Sequence, residues 1–130
     1  MPNSKSVQDI MMRDFKKIDG VTKVSEALAM MKTENINAVL IAPRSEADVY
    51  GIVTLKDIAR KVIAQRRKLH ETHVYEIMTK PVLCVSPNMP LPYAARHLTN
   101  FNVSYAMVQE NNTVIGMVSL HGIVQLWDQG

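Results

Sequence analysis

The chain has one cysteine, Cys84, and few aromatics, with two Phe, four Tyr and one Trp in 130 residues. A lone cysteine closes no disulfide within the chain, which fits a reducing compartment and predicts a cytoplasmic protein, with Cys84 read as a buried strand residue. Long hydrophobic runs are missing too. Ala38-Val-Leu-Ile-Ala42 falls far short of the roughly 20 apolar residues of a spanning helix, and the polar start shows no signal peptide, so no membrane partner is expected. Glycine-rich phosphate loops, zinc-type cysteine pairs and aromatic RNA-binding signatures are absent. No serine or cysteine has a His and an acid at motif spacing, so no catalytic residues and no enzyme activity are expected. His70 and His73 lack a third ligand, so no metal site is assigned.

Net charge is small too. A formal net charge of +3 does not by itself point to nucleic acid. Lys56, Arg60, Lys61, Arg66, Arg67 and Lys68 cluster in mid-chain, but Leu55, Ile58, Ala59, Val62, Ile63 and Leu69 supply an apolar stripe, so the cluster reads as the wet face of a helix running to about Leu69.

What the chain does have is repetition. Val7-Gln-Asp-Ile-Met11 returns as Val74-Tyr-Glu-Ile-Met78, and Gly51-Ile-Val-Thr-Leu55 as Gly116-Met-Val-Ser-Leu120. The first pair is displaced by 67 positions and the second by 65, so repeat one (6–69) carries two residues more than repeat two (70–128) between these anchors. The polar stretch Pro43 to Asp48 is the place for them. Either repeat alone is near the size at which one core is marginal, so the two are expected to form one body.

Each repeat reads as strand, helix, two strands, helix. Repeat one offers Phe15 to Ile18, then Thr22 as a cap before Val24, Ala27, Leu28 and Met31 at helical spacing, a pattern that Asn35 and Asn37 break. The strands Ala38 to Ala42 and Val49 to Val53 follow. Repeat two offers Val82 to Val85, a turn at Pro87 and Pro90, and a helix with Leu91, Ala94, Ala95, Leu98 and Phe101 on one side. Strands Val103 to Val108 and Thr113 to Val118 turn through Glu110-Asn-Asn112, and Leu120 to Trp127 closes as a helix. The nine methionines read as adaptable core filling.

Gly51-Ile-Val-Thr54-Leu-Lys-Asp57 carries the chemistry. It sets a hydroxyl and a carboxylate three residues apart where a strand becomes a helix, and both can point one way. Gly51 leaves room beside the strand, Asp57 can accept from a ribose diol, and Thr54 can donate to ribose or phosphate. The same Thr-x-x-Asp is equally a capping box that only starts the helix.

The duplicated unit, its Val-x-x-Ile-Met openings and its Gly-hydrophobic-Val-Thr/Ser-Leu endings resemble the cystathionine-β-synthase (CBS) domain pair, or Bateman module, over roughly Ser6 to Asp128. Ile77-Met-Thr-Lys-Pro-Val-Leu-Cys-Val-Ser-Pro87 is close to the family's opening phrase, and Gly51 to Asp57 matches its Gly-x-x-Thr-x-x-Asp nucleotide signature. The resemblance implies an α/β (α+β) fold of two tandem β-α-β-β-α repeats, packed with pseudo-twofold symmetry and two clefts for adenosine-containing ligands. It joins Gly51, Thr54 and Asp57 to Thr79, Lys80, Pro81 and Val82, with Ser104, Tyr105 and Ala106 nearby. The second cleft departs from the pattern, because Gly116-Met-Val-Ser119-Leu-His121-Gly122 has glycine where the ribose carboxylate should stand. Met11-Met-Arg13-Asp-Phe-Lys16 is also a poor base-gripping phrase, so Arg13, Ser119, His121 and Gly122 mark a degenerate site.

The expected function is a stand-alone intracellular sensor whose regulatory ligand is AMP, ADP, ATP or S-adenosylmethionine. No cofactor is required, the assembly is a homodimer, and the regulated protein is unidentified. The competing reading is a ligand-independent homodimeric interaction module in which Thr54 and Asp57 only cap a helix. Nucleic-acid binding through the basic helix ranks third.

Overall fold

A computed structural model describes residues 5–127. In chain order its elements are α1 (Val7–Ile10), β1 (Lys17–Ile18), α2 (Val24–Glu34), β2 (Ala38–Ile41), β3 (Gly51–Thr54), α3 (Leu55–Ile58), β4 (Cys84–Val85), α4 (Leu91–Asn100), β5 (Tyr105–Glu110), β6 (Thr113–Ser119) and α5 (Leu120–Leu126). They form two compact units. One runs from Lys16 to Val82; the other joins the chain up to Phe15 with the chain from Leu83 onward. Each unit has a three-stranded sheet of one design, ordered β1-β2-β3 or β4-β5-β6, with the first pair parallel and the second antiparallel. The expected mixed α/β repeat architecture is present, with the same strand order in both halves.

In the Lys16–Val82 unit, all four residues of β2 are buried, as its unbroken apolar run predicts for a central strand. Val24, Ala27 and Met31 of α2 cover this sheet, joined in one core by Val39, Ile41, Val53, Ile58, Val62, Val74 and Ile77. Asn35 ends α2 in the left-handed conformation at φ 54°, which asparagine tolerates better than most residues. Thr22 does not cap this helix. Lys23 holds the N-cap position without a side-chain bond, and the Thr72 carbonyl accepts from Val24 N at 2.7 Å, so distant backbone does what the hydroxyl was expected to do. The basic helix is also shorter than its stripe predicts. After α3, residues Ala59–Ile63 form a π turn, with Ala64 N donating to the Ala59 carbonyl at 2.8 Å, and Arg66 then takes the left-handed conformation at φ 59°. Ile58 and Val62 stay buried, whereas Leu55, at the first position of α3, and Ile63, at the end of the π turn, are exposed.

The second unit buries Val85, Leu91, Ala94, Leu98, Ala106, Val108, Val118 and Ile123 around the β5–β6 hairpin. Asn111 and Asn112 both have positive φ (53° and 64°), the backbone a tight two-residue turn needs. Two expectations fail here. Cys84 is exposed, because the two-residue strand turns Val85 inward and alternation sends its neighbour out. Phe101 is exposed because α4 ends at Asn100 and its C-cap leaves the helical spiral. The length difference between the repeats falls where expected. Ile41 pairs with Gly51 and Val108 with Gly116, leaving nine and seven intervening residues respectively.

The two Val-x-x-Ile-Met phrases each lock a sheet. Val74 N donates to the Thr22 carbonyl at 2.8 Å, and Thr79 pairs with Ile52 through bonds of 2.9 and 3.0 Å, all within the Lys16–Val82 unit. In the other unit Val7 N donates to the Met89 carbonyl at 2.9 Å, and Met12 pairs with Met117 at 2.7 and 3.0 Å. A methionine covers a strand glycine in both. A Cβ on Gly51 would stand 2.7 Å from Met78 Sδ, and one on Gly116 2.8 Å from Met11 Sδ, so only glycine admits these side chains undisturbed.

Candidate functional site

The centre of the site is the β3–α3 junction. Thr54 ends the strand in extended conformation (φ −115°, ψ 166°) and the next residue begins the helix. Asp57 Oδ2 accepts from Thr54 N at 2.9 Å and from Thr54 Oγ1 at 3.1 Å, while Thr54 Oγ1 accepts from Asp57 N at 3.2 Å. This reciprocal box satisfies backbone donors that the helix start would otherwise leave open. Asp57 is buried, and its second oxygen, Oδ1, faces Lys61 Nζ at 3.6 Å, too long for a strong hydrogen bond. Lys61 is engaged elsewhere, donating to the Ile77 carbonyl at 2.9 Å and so tying the helix to the segment that leads to Thr79.

That segment lies beside the junction. The Ile52–Thr79 pairing sets Thr79 against the strand two residues before Thr54, and the chain continues through Lys80, a cis peptide, Pro81 and the buried Val82. Lys80 Nζ is 2.8 Å from Asp48 Oδ1, and Asp48 Oδ2 accepts from Arg44 N at 3.0 Å. The Lys80 hydrogen bond, with backbone donors at Arg44 and Val49, holds the Asp48 carboxyl well below the usual carboxylate range. Arg44, Ser45, Asp48 and Lys80 line a cleft of about 400 Å³.

Gly51, Thr54, Asp57, Thr79, Lys80, Pro81 and Val82 therefore belong to one unit. Ser104, Tyr105 and Ala106 belong to the other, at the start of β5, where the Ser104 carbonyl accepts from Leu120 N at 2.9 Å. That unit also holds the degenerate set. Ser119 Oγ accepts from Gly122 N at 2.8 Å, repeating half of the Thr54–Asp57 box, but Gly122 offers no carboxylate. A Cβ there would stand 2.9 Å from Ser119 Oγ. Arg13 and His121 are exposed. His73 Nδ1 lies 3.3 Å from Glu76 Oε2 and its ring stacks on Tyr75, while Arg67 pairs with the other Glu76 oxygen. Among the described residues no group of three or more His, Cys, Asp or Glu is placed to hold a metal ion, and no helix is long and apolar enough to cross a membrane.

Sequence reasoning missed Arg44, Ser45, Asp48 and Lys61. The spacing of Asp57 and Lys61 at i,i+4 was a signal for one of them, and the two-residue excess near Pro43 to Asp48 was a signal for the rest.

The CBS domain family model matches residues 7–64 and again 74–127. The chain belongs to the CBS domain family. It carries two CBS domains, a CBS pair, as the duplicated phrases imply. A relative among curated proteins is the mitochondrial CBS domain-containing protein CBSX3 of Arabidopsis thaliana, 29% identical over 94% of this chain; the chain spans 64% of that protein's length. Among solved structures, a hexameric CBS-CP12 protein from bloom-forming cyanobacteria matches with a TM-score of 0.91 at 34% identity, covering 95% of this chain and 72% of the other. The CBS domain pair of protein MJ0100, solved with 5′-methylthioadenosine and S-adenosyl-L-methionine, matches with a TM-score of 0.77 at 29% identity over 94% of each chain.

Proposed function

We propose that this CBS pair is a non-catalytic regulatory module that binds an adenosine-containing ligand, AMP, ADP, ATP or S-adenosylmethionine, with Thr54 and Asp57 holding the ribose and Thr79, Lys80, Pro81 and Val82 flanking it. The observation that carries this reading is the state of Asp57. Its carboxylate is buried and oriented by Thr54 through Oδ2, yet among the described residues Oδ1 has no partner closer than Lys61 at 3.6 Å, so one oxygen remains able to accept from a diol. The MJ0100 pair, solved with two adenosine-containing ligands, supports the ligand class. The protein acts in the cytoplasm as a homodimer, and exposed Tyr93, Val124 and Leu126 on α4 and α5 offer apolar surface for the second copy.

A second reading, a ligand-independent interaction module, is favoured by the completeness of the capping box in the chain alone. Thermal denaturation with AMP, ADP, ATP and S-adenosylmethionine separates the two. A ligand at 100 times its Kd adds about 2.7 kcal/mol of apparent stability, and the absence of a shift with all four would leave the interaction module.

A further inference from the structure

The cleft between the β2–β3 loop and Lys80 shares Lys80 with the proposed ribose site, but neither Thr54 nor Asp57 lines it. Two of its four lining side chains, Arg44 and Lys80, are cationic, one is a hydroxyl, and one is the Asp48 carboxylate, so positive charge is in excess. The loop is folded for this arrangement. Asp48 N donates to the Ser45 carbonyl at 3.1 Å and Asp48 Oδ2 accepts from Arg44 N at 3.0 Å, which holds Arg44 and Ser45 together on a turn. Lys80 reaches this turn from 32 residues away through the Asp48 ion pair at 2.8 Å. The pair lies at the surface with its side chains 33% and 21% exposed, and surface ion pairs contribute little net energy, so a competing anion can displace it. Among the described residues the other unit has no counterpart of this loop, because β5 and β6 close directly through Asn111 and Asn112. The cleft thus comes with the extra residues of the first repeat.

We propose that Arg44, Ser45 and Lys80 form a phosphoryl-anion subsite that Asp48 occupies in the ligand-free protein and yields when phosphate arrives. Arg44 offers the forked donor set that matches phosphoryl oxygens, Lys80 a compact charge and Ser45 a hydroxyl donor. Asp48 acts as a built-in competitor, keeping Lys80 paired when no anion is present. The phosphoryl group can come from a free polyphosphate or from the tail of a nucleotide, and the two sources are separable.

The test is calorimetric titration with pyrophosphate, ATP and adenosine in phosphate-free buffer at fixed low ionic strength. Asp48→Asn keeps an acceptor for Arg44 N but removes the charge facing Lys80, so pyrophosphate affinity should rise roughly 3- to 10-fold. The Arg44→Ala/Lys80→Ala double variant should lose at least about tenfold, by loss of two charge-assisted contacts. Pyrophosphate carries no ribose, so its binding reports the subsite even if the adenosine reading fails. Pyrophosphate binding alone assigns the cleft to free phosphoryl anions. ATP binding that is weakened by the double variant while adenosine binding is not, without pyrophosphate binding, assigns it to a nucleotide tail. If Asp48→Asn weakens or does not alter anion binding, or the double variant binds as wild type does, the proposal is overturned and the Asp48–Lys80 pair is a loop staple.

Discussion

Replacing Asp57 by alanine and by asparagine separates the two roles this carboxylate can play. Alanine removes the acceptor of Thr54 N (2.9 Å) and of Thr54 Oγ1 (3.1 Å), leaving the Asp57 N to Thr54 Oγ1 bond in place. Losing the carboxylate arm of a partly buried box costs about 1–2 kcal/mol, in the range of a lost cap or of hydrogen bonds to a charged group. For a chain of 130 residues that lowers Tm by roughly 3–10 °C. Asparagine keeps a carbonyl oxygen for Thr54 N, so its cost should stay below about 1 kcal/mol. The ligand responds differently. A ribose diol held by a carboxylate loses a charge-assisted contact in both variants, and adenosine ligands should weaken about 10- to 100-fold in each. Calorimetric titration beside a thermal melt reads both quantities on the same samples. Affinity that falls in Asp57→Asn while Tm barely moves supports the ribose role; undiminished affinity in both variants refutes it and leaves Asp57 as a helix cap.

The two strand glycines should differ in cost. A Cβ at Gly51 meets only the flexible Met78 side chain, whereas at Gly116 it also comes within 3.0 Å of the Met12 carbonyl, so Gly116→Ala should cost about 1–3 kcal/mol and Gly51→Ala clearly less, measured by urea denaturation. In acid, Glu76 should matter. Backbone donation from His73, followed by the Arg67 contact, lowers its pKa from 4.5 to about 2. A depressed carboxylate contributes stability above its unfolded value and loses it as pH falls through the folded one. Glu76→Gln should therefore flatten the fall in Tm between about pH 4.5 and pH 2; an unchanged acid limb would contradict the assignment. Light scattering at micromolar concentration should give a dimer mass, and a monomer mass would remove the homodimer from the proposed function.

The repeat architecture was legible because its signals are local. The buried run Ala38–Ile41, the helix stop at Asn35, and the turn around Asn111 and Asn112 each declare themselves within a few residues, and the partners of the Thr54–Asp57 box stand only three apart. What escaped was non-local or depended on a single turn of backbone. Thr22 lost its capping role to a carbonyl at Thr72, and Lys80 found Asp48 across 32 residues. Helical periodicity continued through the basic stretch to Leu69, but one π turn at Ala59–Ile63 and a positive φ at Arg66 ended the helix, and no side-chain pattern encodes that slip. Cys84 and Phe101 failed for a related reason: in a two-residue strand and at a helix end, one step of register decides which face a side chain takes.

The contrast between the two units separates scaffold from chemistry. Both close their sheets with a Val-x-x-Ile-Met phrase, both sink a methionine against a strand glycine, and both begin the following helix with a hydroxyl that accepts from the backbone N–H three residues on. These shared features are the ones folding requires. The carboxylate is present at Asp57 and absent at Gly122, although the second helix forms without it. A capping carboxylate is thus dispensable to this fold in one of two equivalent places, and stability alone is a weak reason for the other to keep it. The same reasoning applies to the loop that carries Arg44, Ser45 and Asp48, since the β5–β6 pair is joined by a two-residue turn and still makes a complete sheet. The residues that scaffold symmetry does not explain all lie in the Lys16–Val82 unit, and that is where the proposed ligand chemistry is placed.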